Sequence, residues 1–195
     1  LYKYSLDGSE AWPDPCSRYQ PEGPHGPSQV TAPDAFVWAD HEWHGAQIAG
    51  QVIYEIHIGT FTPEGTFDGA RKRLDYLKDL GIKMIELLPV AECPGRWNWG
   101  YDGVQLFAPY HRYGDPDALK RFVDRAHALG IAVILDVVYN HLGPDGNYLS
   151  HFSPSYFSKK YRTDWGEALN FDGEECVGAR DFVINNAKYW LREFH

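Results

Sequence analysis

The sequence is poor in cysteine, and its three cysteines form no recognisable framework. Cys16, Cys93 and Cys176 are widely spaced and contain no CxxC pair. An odd number of thiols cannot all be joined in disulfides, and structural zinc sites use closely spaced cysteine pairs. We therefore expect neither a disulfide scaffold nor a bound metal, and the free thiols favour a reducing, cytoplasmic location.

The sequence also lacks clustered basic residues. Its 18 Lys and Arg are outnumbered by 27 Asp and Glu, which gives a formal net charge of −9. Nucleic acids and anionic membranes are bound through patches of Lys and Arg, so neither is expected as a partner. No apolar stretch approaches the ~20 residues that a membrane-spanning helix needs, and residues 1–4 do not resemble a signal peptide. These absences favour a neutral small-molecule substrate.

Aromatic residues, by contrast, are abundant. They make up 15% of the chain, with seven Trp and thirteen Tyr. Flat amphipathic rings stack well on sugars, but they also fill cores, so composition alone leaves both interpretations open.

The chain divides into three parts by composition. Residues 1–11 begin without Met and with alternating polar and apolar positions, which predicts the last strand of an antiparallel domain of a longer protein. Six prolines between residues 12 and 34 exclude a helix or a central strand there. Residues 12–50 are therefore predicted to be a Pro-rich linker and lead-in, and residues 51–195 the start of an α/β domain.

Within residues 51–195 the hydrophobic pattern predicts strands at 52–58, 84–90 and 132–138, each followed by a helix. Leu80-Gly81-Ile82 and Leu129-Gly130-Ile131 both end a helix and lead into a strand. This repetition predicts three successive βα units of a parallel sheet, with long irregular loops at 91–114 and 142–178. No GxGxxG motif follows any of the strands, which weakens a dinucleotide-binding sheet as the alternative.

Polar residues interrupt the third strand and follow it. Asp136 lies inside an apolar run predicted to be buried on both faces, where an unpaired carboxylate would cost several kcal/mol. Asn140 and His141 follow at the carboxyl end, where parallel α/β folds place their binding sites. The loop Trp97–Asp102 reaches the same edge and is suited to a sugar, although its aromatics could equally anchor the loop. His57 and Glu92 also reach this edge, but the sequence gives weaker grounds for a role of either residue in the site.

These motifs resemble known sequences. The segment Leu135–His141 is similar to the first signature of the α-amylase family of retaining glycoside hydrolases. Further segments resemble a branch of that family with branching, debranching and trehalose-forming enzymes: Glu86–Glu92, Trp99–Asp102 and Phe107–Gly114. Three more are most similar to the malto-oligosyltrehalose trehalohydrolases: Gln20–Pro27, His141–Tyr148 and Asp164–Gly173. The resemblance covers essentially the whole chain.

The resemblance implies a fold and several substrate-binding residues. The fold would be an α/β partial (β/α)8 TIM barrel, comprising the first three βα units. The end of an N-terminal β-sandwich, at residues 1–11, and the Pro-rich linker would precede it. Tyr101 matches the tyrosine that stacks under the sugar at the cleavage point, and His141 matches a histidine that hydrogen-bonds the sugar hydroxyls. Trp99 and Asp102 belong to the same substrate-binding loop.

For Asp136, Asn140 and Asp172 the resemblance implies a less direct role in the site. Asp136 matches a carboxylate that supports the floor of the site. Asn140 matches a residue that helps to hold calcium in many amylases, but trehalohydrolases are not generally calcium proteins, so no metal or cofactor is predicted. Asp172 belongs to another family signature near the substrate.

The resemblance also implies that the two catalytic carboxyl groups are not among these residues. Retaining glycosidases use two carboxyl groups, a nucleophile and an acid/base, and in this family both come from the fourth and fifth strands. No Asp or Glu of this chain matches either role, so residues 1–195 alone are expected to be inactive.

Three functions are consistent with these features. The whole protein is predicted to cleave the α-1,4 bond next to the terminal trehalose of malto-oligosyltrehalose, by double displacement with retention. The alternatives are a branching or debranching enzyme and, in another class, a non-catalytic α-glucan-binding module.

Overall fold

The computed structural model describes residues 1–195. Its centre is a three-stranded parallel sheet of β3 (Ile53–Ile56), β4 (Met84–Leu87) and β7 (Ala132–Leu135), in the order β3-β4-β7. Ile53 pairs with Met84 and Met84 with Ala132, so the three strands end level with one another. We call this edge, formed by the carboxyl ends of β3, β4 and β7, the rim. The strands are β1 Tyr4–Ser5, β2 Ala11–Trp12, β3 Ile53–Ile56, β4 Met84–Leu87, β5 Ala91–Glu92, β6 Gln105–Pro109, β7 Ala132–Leu135, β8 His141–Leu142 and β9 Glu167–Ala168.

Local signals mark several of the helix ends. They are α1 Ile58–Phe61, α2 Phe67–Arg71, α3 Leu74–Asp79, α4 Pro116–Ala128, α5 Leu149–Phe152 and α6 Val177–Glu193. The Thr66 side chain caps α2 by accepting from the Gly69 amide, and Asp115 caps α4 in the same way ahead of Pro116. Gly81, at φ 91°, follows α3 in the left-handed conformation that glycine favours. None of the helices is both long and apolar enough to cross a membrane.

The hydrophobic core lies between one face of the sheet and the helices. Ile85 and Leu87 of β4 are fully buried, together with Leu77 of α3 and Phe122 of α4. Residues alternate between the two faces of a strand, so Glu55, Glu86 and Ile134, which are in register, lie on the opposite face. We call this second side the open face. The predicted partial barrel with three parallel strands is confirmed.

This domain differs from the sequence-based prediction in several places. The strands predicted at 52–58 and 84–90 end at Ile56 and Leu87, and the segment 142–178, predicted to be irregular, contains α5 and β9. The segment 91–114, predicted to be irregular, contains β5 and β6, which pair antiparallel, and β6 is buried throughout. The strand predicted at 132–138 ends at Leu135, and all four of its residues are only partly buried. The physical reason is that β7 is hydrogen-bonded to β4 alone, so one edge and its open face lack a covering layer.

The first fifty residues pack along the outside of the barrel units. β1 and β2 form an antiparallel pair around Asp7 and Gly8, both at positive φ. The backbone of Tyr2 then pairs with Ser28. The buried ammonium group of Lys120 donates to the carbonyl of Pro33 at 2.9 Å. The division at residues 11 and 50, and the assignment of residues 1–11 to a β-sandwich, stay predictions.

A buried carboxylate joins the lead-in segment to α4 and to His195, two residues beyond the end of α6. Oδ2 of Asp40 accepts from Nδ1 of His127 and from Nδ1 of His195, both at 2.8 Å. Trp43 stacks on the His127 ring, and Trp38 stacks on the His195 ring. Burial by itself would raise the pKa of Asp40, but the hydrogen bonds from the two imidazoles outweigh it and hold that pKa below its usual value.

Candidate functional site

Four of the sequence-predicted site residues form one hydrogen-bonded constellation at the rim. The Tyr101 hydroxyl donates to Oδ2 of Asp136 at 3.3 Å. Nε2 of His141 donates to the Tyr101 carbonyl at 3.1 Å, and Nδ1 of His141 lies 3.2 Å from Oδ1 of Asn140. The amide of Asp136 donates to the Leu87 carbonyl at 3.0 Å, which fixes Asp136 just beyond the end of β7.

Glycines allow the two loops that carry these residues to touch. The Gly143 amide donates to the Gly103 carbonyl at 3.1 Å, which joins the loop after β8 to the Tyr101 loop. β8 is also paired with β9, opposite Ala168. A side chain at Gly143 would place its Cβ 2.4 Å from the carbonyl oxygen of Asp102. The close approach of the two loops therefore requires glycine at position 143.

We expect Gly143→Ala to destabilise the full-length protein by about 1–3 kcal/mol, because the added methyl must push two backbone segments apart. The thermal midpoint measures this loss. Gly178→Ala is the matched control, since a Cβ there meets nothing within 4 Å and lies in α6. It should leave stability unchanged or raise it by about 0.5–1 kcal/mol. Equal midpoints for the two variants would contradict the requirement for glycine at 143.

The constellation stands over an acidic surface. Partial desolvation raises the pKa of Tyr101, and the negative charge and hydrogen bond of Asp136 raise it further. Glu55 and Glu86, on the open face, add to this shift. The negative charge of these carboxyl groups favours positive charge in a bound ligand or transition state. An uncharged ligand that becomes positively charged during reaction suits such a surface.

The structure places the remaining predicted site residues less centrally. Trp99 is 78% exposed and lies in the same loop, two residues before Tyr101. Asp102 is exposed, and its carbonyl packs against Gly143. Oδ2 of Asp172 accepts from the Tyr161 hydroxyl at 2.8 Å and from Nζ of Lys160 at 3.1 Å, so its hydrogen bonds lie outside the constellation. The substrate-binding roles of all these residues stay predictions.

Glu92 and His57, for which the sequence gave weaker grounds for a site role, are both hydrogen-bonded to other residues of the protein. Glu92 is fully buried and accepts from the His111 amide at 2.8 Å and from Nδ1 of His111 at 2.9 Å. Burial raises the pKa of Glu92 in spite of these bonds. Nε2 of His57 donates to the Asn98 carbonyl at 2.8 Å. Both residues hold loops in place. No group of three or more His, Cys, Asp or Glu side chains is arranged to hold a metal ion.

Sequence reasoning missed three residues beside the constellation. Glu55 and Glu86 occupy equivalent positions in two apolar strands, and this is the same signal that singled out Asp136. Trp165 is 70% exposed and precedes Gly166, where a Cβ would lie 3.5 Å from Cδ2 of the His141 ring. The signal for Trp165 was its place in a turn of polar residues, where an indole has no core to fill.

The comparison with known families shows the family to which the chain belongs. The family described as alpha amylase, catalytic domain, matches residues 30–176. The chain belongs to the α-amylase family. Membership predicted from the sequence motifs is thereby confirmed, and the constellation of Tyr101, Asp136, Asn140 and His141 lies within the matched catalytic-domain region.

Individual members of the α-amylase family resemble the chain over its whole length. It is 53% identical over 194 residues to the malto-oligosyltrehalose trehalohydrolase of Saccharolobus solfataricus, covering 100% of the chain and 34% of that protein. It is 37% identical over 217 residues to the 1,4-α-glucan branching enzyme of Burkholderia thailandensis, covering 100% of the chain and 26% of that enzyme. The chain therefore spans about a third of the length of the trehalohydrolase, and less of the branching enzyme.

A solved structure agrees with this relationship. An α-amylase-like protein from Salmonella typhimurium superposes with a TM-score of 0.92 at 45% identity, covering 97% of the chain and 32% of that protein.

Proposed function

We propose that the whole protein is a glycoside hydrolase that cleaves the α-1,4 bond next to the terminal trehalose of malto-oligosyltrehalose and releases trehalose. The observation that carries the proposal is the identity of 53% to a trehalohydrolase, against 37% to a branching enzyme over a similar length. The barrel itself hosts both chemistries, so the fold does not separate them. The substrate is an α-glucan oligosaccharide.

The residues of this chain would form one wall of the sugar site. The Tyr101 ring, 42% exposed, offers a stacking surface for the sugar at the cleavage point. Its hydroxyl is held by Asp136, which fixes the ring over the open face. Glu55, Glu86 and Asp136 would stabilise the positive charge that develops at the anomeric carbon of an oxocarbenium-like transition state.

The reaction proceeds with retention through a glycosyl-enzyme. The nucleophile and the acid/base are carboxyl groups that the family relationship assigns to the fourth and fifth strands. Hydrolysis and transfer share this intermediate and differ in whether water or a sugar hydroxyl attacks it. The chain's own contribution is to bind and orient the sugar and to complement the developing charge.

Product analysis tests this proposal. The full-length protein is incubated with malto-oligosyltrehalose and, separately, with amylose. Free trehalose from the first substrate is expected, with no new α-1,6 branches in the second. Branched product from amylose, with no trehalose from malto-oligosyltrehalose, would establish a branching enzyme instead. Binding of both glucans with no product from either would favour a non-catalytic module.

We also propose a cytoplasmic location. All three cysteines are free, and Cys93 is buried with its thiol pKa raised by burial to about 12. Unpaired thiols fit a reducing compartment. Fractionation of the native cells with an antibody against the protein tests this, and recovery outside the cytoplasm would overturn it.

In the full-length protein, Tyr101→Ala is expected to raise KM about tenfold, which corresponds to about 1.4 kcal/mol of lost stacking. Stacking acts on the ground state and the transition state alike, so kcat should fall no more than KM rises. Tyr101→Phe is the control, because it keeps the ring and removes only the hydroxyl that donates to Asp136. KM should then stay close to the wild-type value. An unchanged KM in Tyr101→Ala would assign the ring a purely structural role.

A further inference from the structure

The lead-in segment, residues 12–50, stacks three of its tryptophans on three histidines that lie beyond residue 50. The ring centroids of the three pairs are 3.9, 4.0 and 4.3 Å apart, for Trp12 on His151, Trp38 on His195 and Trp43 on His127. The last two pairs belong to the Asp40 cluster. The Trp12 pair is different, because His151 lies on α5, in the segment that follows His141. Trp12 therefore links the lead-in segment to a loop of the candidate site.

Residues 143–152, which we call the outer loop, are held by the lead-in segment at two further residues. The Trp12 ring also stacks on Tyr148, with centroids 4.9 Å apart and 30° between the planes. The Tyr148 hydroxyl donates to Nδ1 of His25 at 2.6 Å. Nε2 of His25 then carries the ring proton and lies 3.4 Å from Oδ1 of Asp145. One tautomer of His25 thus satisfies both partners on the outer loop.

The part of the lead-in segment that makes these contacts is itself rigid. Residues 20–27 contain three prolines, and each of them fixes its own φ. The Gly23 amide donates to the Gln20 carbonyl at 3.0 Å, and the Gly26 amide donates to the Gly23 carbonyl at 3.1 Å. Pro24 is buried against the outer loop, where a Cβ on Gly146 would lie 2.9 Å from the Cβ of Pro24. The segment therefore forms a firm support against which the outer loop packs.

The outer loop transmits this support to the constellation at the rim. At its start the Gly143 amide donates to the Gly103 carbonyl at 3.1 Å, and just before it His141 donates to the carbonyl of Tyr101. Further along, α5 is a helix of only four residues. A single helical turn has little stability of its own, so the position of the loop depends on the segments packed against it.

We propose that Trp12 and His25 are positioning residues for the reaction: they fix the outer loop, and the outer loop fixes His141 and the Tyr101 carbonyl. This rests on the proposed function, because it assumes that the sugar binds at the constellation. In this role neither Trp12 nor His25 needs to touch the substrate. A loosened loop misplaces groups that must be aligned in the transition state, so its loss acts on kcat more than on KM.

Steady-state kinetics of the full-length protein test the role of Trp12. Trp12→Ala should lower kcat for trehalose release about tenfold and change KM by no more than about twofold. Trp12→Phe keeps a stacking ring and should recover most of kcat. Trp43→Ala is the matched control, because it also removes a lead-in indole from a histidine, but at His127 on α4. It should lower the thermal midpoint about as much as Trp12→Ala does and leave kcat at the wild-type value.

Hydrogen exchange provides a second measurement, which needs no substrate. The Gly143 amide should exchange about tenfold faster in Trp12→Ala than in the wild type or in Trp43→Ala. Unchanged exchange at Gly143, or an equal loss of kcat in both tryptophan variants, would overturn the positioning role. If the wild type releases no trehalose, the proposed reaction fails, and the exchange still decides whether the lead-in segment holds the outer loop.

His25→Ala tests the same contact where Trp12→Ala does not fold. His25 is exposed, so its removal leaves the core intact and frees only the Tyr148 hydroxyl and Asp145. It should lower kcat about threefold and accelerate exchange of the Gly143 amide. His41→Ala, at another exposed histidine of the lead-in segment, is the control and should change neither. Identical kinetics and exchange in the two histidine variants would count against the proposal.

Discussion

Replacing His141 by alanine in the full-length protein is expected to lower kcat by about a hundredfold, within the range seen when a transition-state hydrogen bond is removed. The imidazole is buried, and Nε2 donates to the carbonyl of Tyr101 at 3.1 Å. Its loss releases the loop that carries the stacking ring. It also removes the hydrogen bonds to sugar hydroxyls that the family resemblance assigns to His141, and these tighten as charge builds at the anomeric carbon.

Steady-state kinetics distinguish this effect from that of Tyr101→Ala. The His141 variant should lose activity mainly in kcat, with a smaller change in KM, because the lost interactions are strongest in the transition state. His141→Gln is the control, since its amide nitrogen can still donate to the Tyr101 carbonyl, and it should recover part of kcat. Wild-type kcat in the alanine variant, or a change confined to KM, would contradict the prediction.

Asp40→Ala should destabilise the protein by about 3 kcal/mol, because it leaves two imidazole donors without an acceptor. His127 is almost fully buried and cannot turn to water, whereas His195 is partly exposed and retains some hydration. The thermal midpoint of the full-length protein measures the loss. Glu42→Ala, two residues away on the exposed surface, is the control and should change stability by no more than about 0.5 kcal/mol.

The same cluster predicts a dependence of stability on pH. The pKa of Asp40 in the folded protein lies below its usual value. Its contribution to stability is therefore complete above the unfolded pKa, near pH 4, and is lost as the pH falls through the lower folded pKa. The difference in thermal midpoint between wild type and Asp40→Ala should narrow below about pH 4. A constant difference from pH 7 to pH 3 would show that Asp40 has no perturbed titration.

Local signals in the sequence identified most of the regular structure. Leu80-Gly81-Ile82 and Leu129-Gly130-Ile131 were predicted to end a helix, and Gly81 and Gly130 follow α3 and α4 in the left-handed conformation. The apolar stripe of α4, which includes Phe122, is buried as its 3.6-residue period requires. These features succeeded because each depends on residues within one or two turns of the same segment.

Features that depend on distant segments were predicted less well. β6 was not recognised, because its burial comes from pairing with β5 and packing against α6, rather than from an alternating pattern. β7 was expected to be covered on both faces, since its apolar run does not reveal which neighbours are present. The glutamates of the open face were overlooked for the same reason.

The sequence alone determined the α-amylase family, the order of the βα units and the loops that carry Tyr101 and His141. Only the tertiary structure decided that the His141 ring, forty residues further along the chain, holds the Tyr101 carbonyl. It also placed Glu55 and Glu86 in register on the open face, where their negative charge raises the pKa of Tyr101. Motif and periodicity are properties of neighbouring residues, whereas these contacts depend on where three strands and two long loops place their ends in space.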